Sequence, residues 1–275
     1  MRDQKRDFSS SRIAYRVATT PVVGYTLILL WQKGVLPKPR GEATARLKDG
    51  RRLQCLLADK TQRTMYLGLF EPDETRLLAD LLGPGDSCID VGAHIGWFTT
   101  LAAGLVGASG QVVACEPYPS NLILLQKNLD QNGCRNVRLV ATALGSRLGT
   151  LSLAAGAGDS GAVTALDWAH DGRVEVPMTT LDDISGDLGD IALIKMDVEG
   201  WEAQILAGAE ETLARTRHVL IEINRPALKK AGSSEEDLFD LLRRAGFTRF
   251  HPVTPGGLRR FQRSVVGNVL ATRSK

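Results

Sequence analysis

The chain has 275 residues, 43% hydrophobic and 24% charged, with four cysteines and a net charge of +3. These values exclude a disordered or disulfide-stapled chain and fit one α/β domain with an N-terminal addition. The basic excess lies at the ends: residues 1–16 carry +3 and residues 257–275 carry +5, leaving about −5 for the middle.

Cys55, Cys88, Cys115 and Cys134 form no C-x-x-C pair. With no secretory signal, the expected compartment is the reducing cytoplasm. Residues 1–64 read as an N-terminal segment of helix, linker and hairpin, and residues 65–275 as the main domain. The apolar stretch from Val22 to Trp31 is too short for a spanning helix. It suits an interfacial or partner-packing helix, and residues 1–40 are a candidate homo-oligomer contact. Basic termini suit an anionic substrate, a membrane surface or nucleic acid, although solvated ends are the simpler reading.

Arg12 to Gly34 reads as a helix interrupted at Pro21 and Gly24 and stopped by Pro37 and Pro39. Residues 42–58 alternate around Asp49-Gly50, a hairpin signal. A helix over 71–82 has Pro72 near its start and Glu71, Asp73 and Glu74 in its first turn. From Ser87 strands and helices alternate: strands at 87–91, 111–115, 137–142, 174–178, 191–196 and 218–223, then 247–252 and 265–271. Helices fall at 95–106, 119–131, 201–214 and 234–245. A polar, Gly-rich section follows to about 172, of which Gly156 to Gly172, with Asp159, Ser160 and Asp167-Trp168, reads as a lid or adenine-side loop. This order predicts an open, mostly parallel sheet with helices on both faces.

In such a sheet ligands bind beyond the carboxyl ends of the strands. Asp90, Glu116 and Asp197 each end an apolar strand there, and Glu222 lies in the fifth. The first turn carries Gly92 and Gly96 but no middle glycine of a dinucleotide fingerprint, and Asp90 would repel phosphates. A phosphate-free cofactor bearing a positive group fits, and S-adenosyl-L-methionine has both properties. Glu116, twenty residues past Gly96, is placed to accept hydrogen bonds from ribose hydroxyls.

The run Ile89-Asp90-Val91-Gly92-Ala93-His94-Ile95-Gly96-Trp97-Phe98-Thr99 resembles the first motif of FkbM-type methyltransferases. Glu116-Pro117 with Asn121 and Asn128, Ala143-Leu144-Gly145, Thr180-Leu181-Asp182-Asp183 and Ile194 to Gly200 follow in the family's order. Glu202, Leu206, Gly208-Ala209 and Leu220 to Ile223 extend the likeness, which spans about residues 65–250. His94 replaces the family's common asparagine. The resemblance implies a class I methyltransferase, Rossmann-like sheet of seven strands with the last antiparallel. It implies O-methylation of hydroxyls on sugars, polyketides and related natural products. It also implies cofactor contacts at Asp90, Gly92, Ala93, His94, Gly96, Trp97, Glu116, Pro117, Ala143 and Asp197.

For the chemistry, Asp197 is the first choice as base or acceptor-orienting group, with Glu199 and Glu222 as rivals. Competing roles are helix capping for Asp197 and an ion pair with Lys195 for Glu222. No histidine pair has metal spacing, so no metal is expected; a divalent ion on Asp197, Glu199 and Glu222 is the weaker alternative. Trp97, Trp168 and Trp201 are candidates to face an acceptor, or core. An RNA methyltransferase gripping phosphates with basic ends is a different-class alternative, although the chain lacks an N/D-P-P-Y motif and any basic-aromatic module. A non-catalytic cofactor-binding partner protein is a third.

Overall fold

The structure, a computed structural model, describes residues 21–156, 159–164, 173–254, 257–258 and 267–274. Residues 1–20, His170, and Trp168 with the rest of 165–172 lie outside the described residues.

Helix α1 (Pro21–Gln32) starts at its proline and runs through Gly24. Strands β1 (Glu42–Arg46) and β2 (Arg52–Leu56) form the expected hairpin, pairing Ala43 with Cys55 and Ala45 with Leu53. Those four side chains are buried, which is the period-2 pattern of a half-covered sheet. Helix α2 (Lys60–Tyr66), absent from the sequence reading, is capped by Asp59, whose carboxylate accepts the Gln62 N–H at 2.8 Å. Helix α3 (Pro72–Leu81) follows, with Pro72 at its first position.

The main domain then alternates β3 (Ser87–Val91), α4 (Trp97–Val106), β4 (Gln111–Cys115), α5 (Pro119–Asn132) and β5 (Val137–Val140). The third strand is shorter than expected, because the chain leaves the sheet after Val140 and pairs elsewhere. Strands β6 (Ala143–Leu144), β7 (Gly149–Gly156), β8 (Asp159–Thr164) and β9 (Val174–Thr179) make a second sheet in the order β6-β9-β7-β8. The section read as a Gly-rich loop is thus largely a hairpin. Leu151 and Leu153 alternate with Thr150 and Ser152, a strand signal masked by the surrounding glycines.

Helix α6 (Leu181–Ser185) is short but carries a full capping box between Thr180 and Asp183. Strand β10 (Ile191–Met196) is buried at every position, as a central parallel strand requires. The helix expected over 201–214 is broken into α7 (Glu202–Leu206) and α8 (Glu210–Ala214). The break falls at Gly208, where a Cβ would collide with the Gly145 carbonyl oxygen. Strand β11 (Thr216–Ile223), α9 (Arg225–Lys230), α10 (Glu235–Arg244), β12 (Arg249–Thr254), the two-residue β13 (Gly257–Leu258) and β14 (Gly267–Thr272) complete the chain. Helix α9 was also missing from the sequence reading.

The main sheet has the order β13-β12-β14-β11-β10-β3-β4-β5. Strands β5, β4, β3, β10 and β11 are parallel, and β14 runs antiparallel to β11 and β12. Apart from the β13 edge, this is the class I methyltransferase sheet of seven strands. From β3 the chain works outward through β4 and β5, then returns to β10 and β11 on the other side. The reversal places a crevice beyond Val91 and Met196, where such sheets bind ligands.

Candidate active site

The first turn is stitched to its neighbours by backbone hydrogen bonds. Gly92 and Ala93 N–H both donate to the Cys115 carbonyl at 3.0 Å, and Asp197 N–H donates to Val91 at 3.1 Å. Gly92 has φ +82° and lies so near Asp197 that no side chain fits. His94 holds φ +51°, and its N–H donates to Glu116 Oε2 at 2.8 Å. Glu116, which follows β4, also accepts from Tyr118 N–H at 2.9 Å and Asn121 Nδ2 at 3.3 Å. Burial pushes Glu116 up to about 7 despite those donors.

Two cavities meet here. The first, of about 640 Å³, is bordered by Gly92, His94, Glu116, Pro117, Ala143, Asp197 and Glu199. Asn121, Thr142, Leu144, Leu151, Leu153 and Trp201 also line it; Trp201 was a candidate to face an acceptor, whereas Thr142, Leu151 and Leu153 were not anticipated. Leu151 and Leu153 come from β7, in the section where the sequence reading placed no strand; Asn121 and Leu144 were visible only as motif residues. The second, of about 780 Å³, holds Ala93, Trp97, Glu222, Lys195, Glu71 and Lys60, and shares Gly92, His94, Asp197 and Glu199 with the first.

Asp90 and Gly96 border neither cavity. Asp90 is buried and accepts from Thr99 Oγ1 at 2.6 Å. Burial raises its pKa, while Lys195 and Thr99 oppose the rise. Gly96 has φ +91° and faces Leu125 so closely that a Cβ would clash. Both therefore support the turn from behind. Asn128, fully buried in α5, fixes the turn to the hairpin: its side chain donates to the Ile95 carbonyl at 2.7 Å and accepts from Gln54 N–H at 2.7 Å. Trp97 is buried, donates to Thr75 at 3.1 Å and meets Phe70 edge-on at 5.7 Å.

Lys195 and Asp90 are register partners on β10 and β3, so they share a face. The Lys195 ammonium pairs with Asp197 Oδ2 at 3.1 Å and lies 4.8 Å from the Phe98 ring centre. The Lys195–Glu222 ion pair weighed as the alternative role for Glu222 does not form; Asp197, two residues on from Lys195, takes the ammonium. Burial works against the Lys195 charge, but Asp197, Glu71 and Asp90 together hold its pKa above normal. Burial likewise opposes ionisation of Asp197, yet Lys195 and a hydrogen bond from Glu222 leave its pKa lowered. The Asp197 charge, then burial, drives Glu222 up to about 10. Asp197 is therefore the ionised member of this pair and Glu222 the protonated one.

Asp197 does not cap the following helix. The N-cap position is Trp201, which makes no side-chain cap bond; Glu202 instead braces the preceding turn, accepting Val198 and Gly200 N–H at 3.2 Å each. Glu199, at φ +53°, accepts from Asn224 Nδ2 at 3.0 Å. The Asp197, Glu199 and Glu222 carboxylates lie within 4.8 Å of one another, with the Lys195 ammonium already on Asp197. All four cysteines are unpaired, and Cys55, Cys88 and Cys115 are buried.

Gly92, the Glu116 carboxyl and the apolar wall at Pro117, Ala143 and Leu144 fit a nucleoside-bearing ligand: a tight backbone approach, a partner for ribose hydroxyls and a surface for a flat base. A model of the methyltransferase FkbM domain matches residues 90–249. The 2-O-methyltransferase NoeI of Sinorhizobium fredii is 27% identical over 183 residues, covering 60% of this chain and 70% of that protein. The hexuronic acid methyltransferase AglP of Haloferax volcanii is 29% identical over 182 residues, covering 64% of this chain and 69% of that protein. A solved S-adenosylmethionine-dependent O-methyltransferase of Thermotoga maritima shares 17% identity with a TM-score of 0.46, over 88% of this chain and 81% of that one. No helix among the described residues is long and apolar enough to cross a membrane. The chain belongs to the FkbM methyltransferase family and is an S-adenosyl-L-methionine-dependent methyltransferase.

Proposed function

We propose that this enzyme methylates a hydroxyl of a sugar or related natural-product acceptor, with the cofactor in the first cavity and the acceptor in the second. The observation that carries this reading is Asp197, which borders both cavities and is the ionised carboxylate where they join. The names of the two relatives, a 2-O-methyltransferase and a hexuronic acid methyltransferase, support oxygen as the methyl acceptor. Four unpaired thiols suit a reducing cytoplasm.

Bound S-adenosyl-L-methionine supplies an electrophilic methyl carbon on a sulfonium. Glu116 takes the ribose hydroxyls, and Gly92 lets the backbone close on the ligand. Asp197 accepts the acceptor hydroxyl's proton as that oxygen becomes acidic, an effect worth about 10²–10⁴ in rate. Lys195 stays protonated and fixes the Asp197 carboxylate. Glu222 stays protonated and donates a hydrogen bond to Asp197, which orients it, while Glu199, held by Asn224, closes the shared wall. Aligning acceptor and methyl donor in a water-poor cleft supplies much of the remaining acceleration.

The test is incubation of the enzyme with S-adenosyl-L-methionine and a panel of glycosides, followed by mass spectrometry. Gain of one methyl group on oxygen, located by fragmentation, is the expected result. Methylation confined to nitrogen or to RNA would overturn the assignment.

A further inference from the structure

The second cavity has an uneven set of ionisable groups. Glu71, Asp197, Glu199 and Glu222 all border it, against Lys195, Lys60 and the His94 imidazole. Lys195 is committed to Asp197 at 3.1 Å with its side chain 5% exposed. Lys60 is exposed at the start of α2, where water weakens its reach. Glu71 and Glu222 each keep one buried carboxyl oxygen, Oε2, without a hydrogen-bond partner.

Glu71 reads in the sequence as an ordinary first-turn acid of α3. Its backbone takes φ +38°, a conformation uncommon outside glycine. The residue borders the cavity beside Phe70, whose ring packs on Trp97. Strain of this kind persists where the surroundings demand it.

We infer that Glu71 and Glu222 set acceptor specificity: the carboxyls they present to the cavity take hydroxyl or ammonium donors of a neutral or amino glycoside, and the cavity rejects a uronate. This rests on the proposed sugar O-methylation. A uronate brings a further carboxylate to a site where burial and neighbouring carboxylates already oppose ionisation, and no uncommitted buried lysine among the described residues borders the cavity to offset its desolvation. Consistent with that crowding, burial followed by the Asp197, Glu74 and Asp90 charges lifts Glu71 to about 8 against the pull of Lys195. This chain then differs in acceptor charge from the relative named as a hexuronic acid methyltransferase.

The experiment compares methyl glucoside, methyl glucosaminide and methyl glucuronide as acceptors, by methyl transfer and by calorimetric titration onto the enzyme saturated with S-adenosylhomocysteine. The expected kcat/KM for the glucuronide is at least tenfold below the other two. Glu71→Lys should narrow that gap at least tenfold while S-adenosylhomocysteine affinity and melting temperature stay at wild-type values. Glu71→Gln, a closer isostere, serves the same comparison where the lysine fails to fold. A glucuronide handled as well as the neutral glycoside overturns the specificity inference and leaves sugar methylation standing. The same holds for a gap unmoved in a folded Glu71 variant. Failure of all three glycosides to bind or react, with some other acceptor methylated, removes the sugar reading itself and this inference with it.

Discussion

Gly92 sits against Asp197 so tightly that a Cβ on the glycine would run into the aspartate's carbonyl oxygen. The turn after β3, at the cofactor side, and the turn after β10, at the reacting side, are therefore one packed unit. The Asp197 N–H bond to Val91 closes it. Gly92→Ala must both occupy φ +82° and push the turns apart. Strain at such a position costs about 1–3 kcal/mol before the collision is counted. The variant should melt lower and lose at least tenfold in S-adenosylhomocysteine affinity, measured by thermal unfolding and calorimetry. Wild-type values for both would show that the turns move independently.

Asp197 and Glu222 touch, yet their isosteric amides should behave differently. Asp197→Asn removes the base and should lower kcat about 10²–10⁴-fold while cofactor affinity holds. Glu222→Gln keeps a hydrogen-bond donor toward Asp197 and should retain most of the turnover at neutral pH. Equal damage from the two substitutions would mean that Glu222, not Asp197, takes the proton.

The same Gln variant has a stability signature. Glu222 rises from 4.5 to about 10 in the folded chain. Between those values the folded state keeps a proton that the unfolded state releases, so wild-type stability falls relative to Glu222→Gln as pH rises. The melting-temperature difference, variant minus wild type, should grow steadily from acid to alkaline pH. A constant difference would place the Glu222 pKa near its ordinary value.

Glu116 should make cofactor binding pH-dependent near neutrality. Burial lifts it to about 7, against donors from Tyr118, His94 and Asn121. Ribose hydroxyls donate, so they favour the ionised carboxylate, and binding must expel the proton where the free enzyme still holds it. S-adenosylhomocysteine affinity should therefore rise with pH through about 7 and be accompanied by proton release. Calorimetry in buffers of different ionisation enthalpy measures both. Glu116→Gln should weaken binding about tenfold or more and flatten the profile; an unchanged slope would assign the proton to another group.

How far the sequence could be read depended on whether a residue's role follows from position or from backbone shape. Gly92, Glu116 and Asp197 are legible because apolar strands end just before them and parallel-sheet topology fixes where strand ends go. The seven-strand sheet with its antiparallel last strand was implied by the family resemblance. Position alone did not separate the turn residues that line the cavities from Asp90 and Gly96 behind them. Leu151 and Leu153 were lost because glycines on either side of a hairpin resemble a loop. Glu71 was lost because one left-handed residue turns a helix-start acid into a cavity residue, and no local pattern announces that. Capping of α7 was the competing role weighed for Asp197, yet that helix has no side-chain cap bond and Glu202 braces the turn before it; choosing among nearby carboxylates requires knowing which is buried.

Buried Glu202 yields a further prediction. It is fully buried, and burial raises its pKa to about 7 against the N–H donors of its own backbone, Gly200 and Val198. Its Oε1 accepts from Val198 and Gly200 N–H, spanning Glu199 at φ +53°. The carboxyl thus holds the segment that carries Asp197 and Glu199 to the junction of the cavities, although Glu202 itself borders neither. Glu202→Ala leaves two amide donors unmatched and should cost about 1–3 kcal/mol, with kcat falling more than cofactor affinity. Glu202→Gln preserves an acceptor oxygen and should recover most of both. If alanine lowered stability but left kcat intact, the loop would keep its shape without the Glu202 carboxyl, and Asp197 would owe its position to Lys195, Glu222 and the Val91 carbonyl.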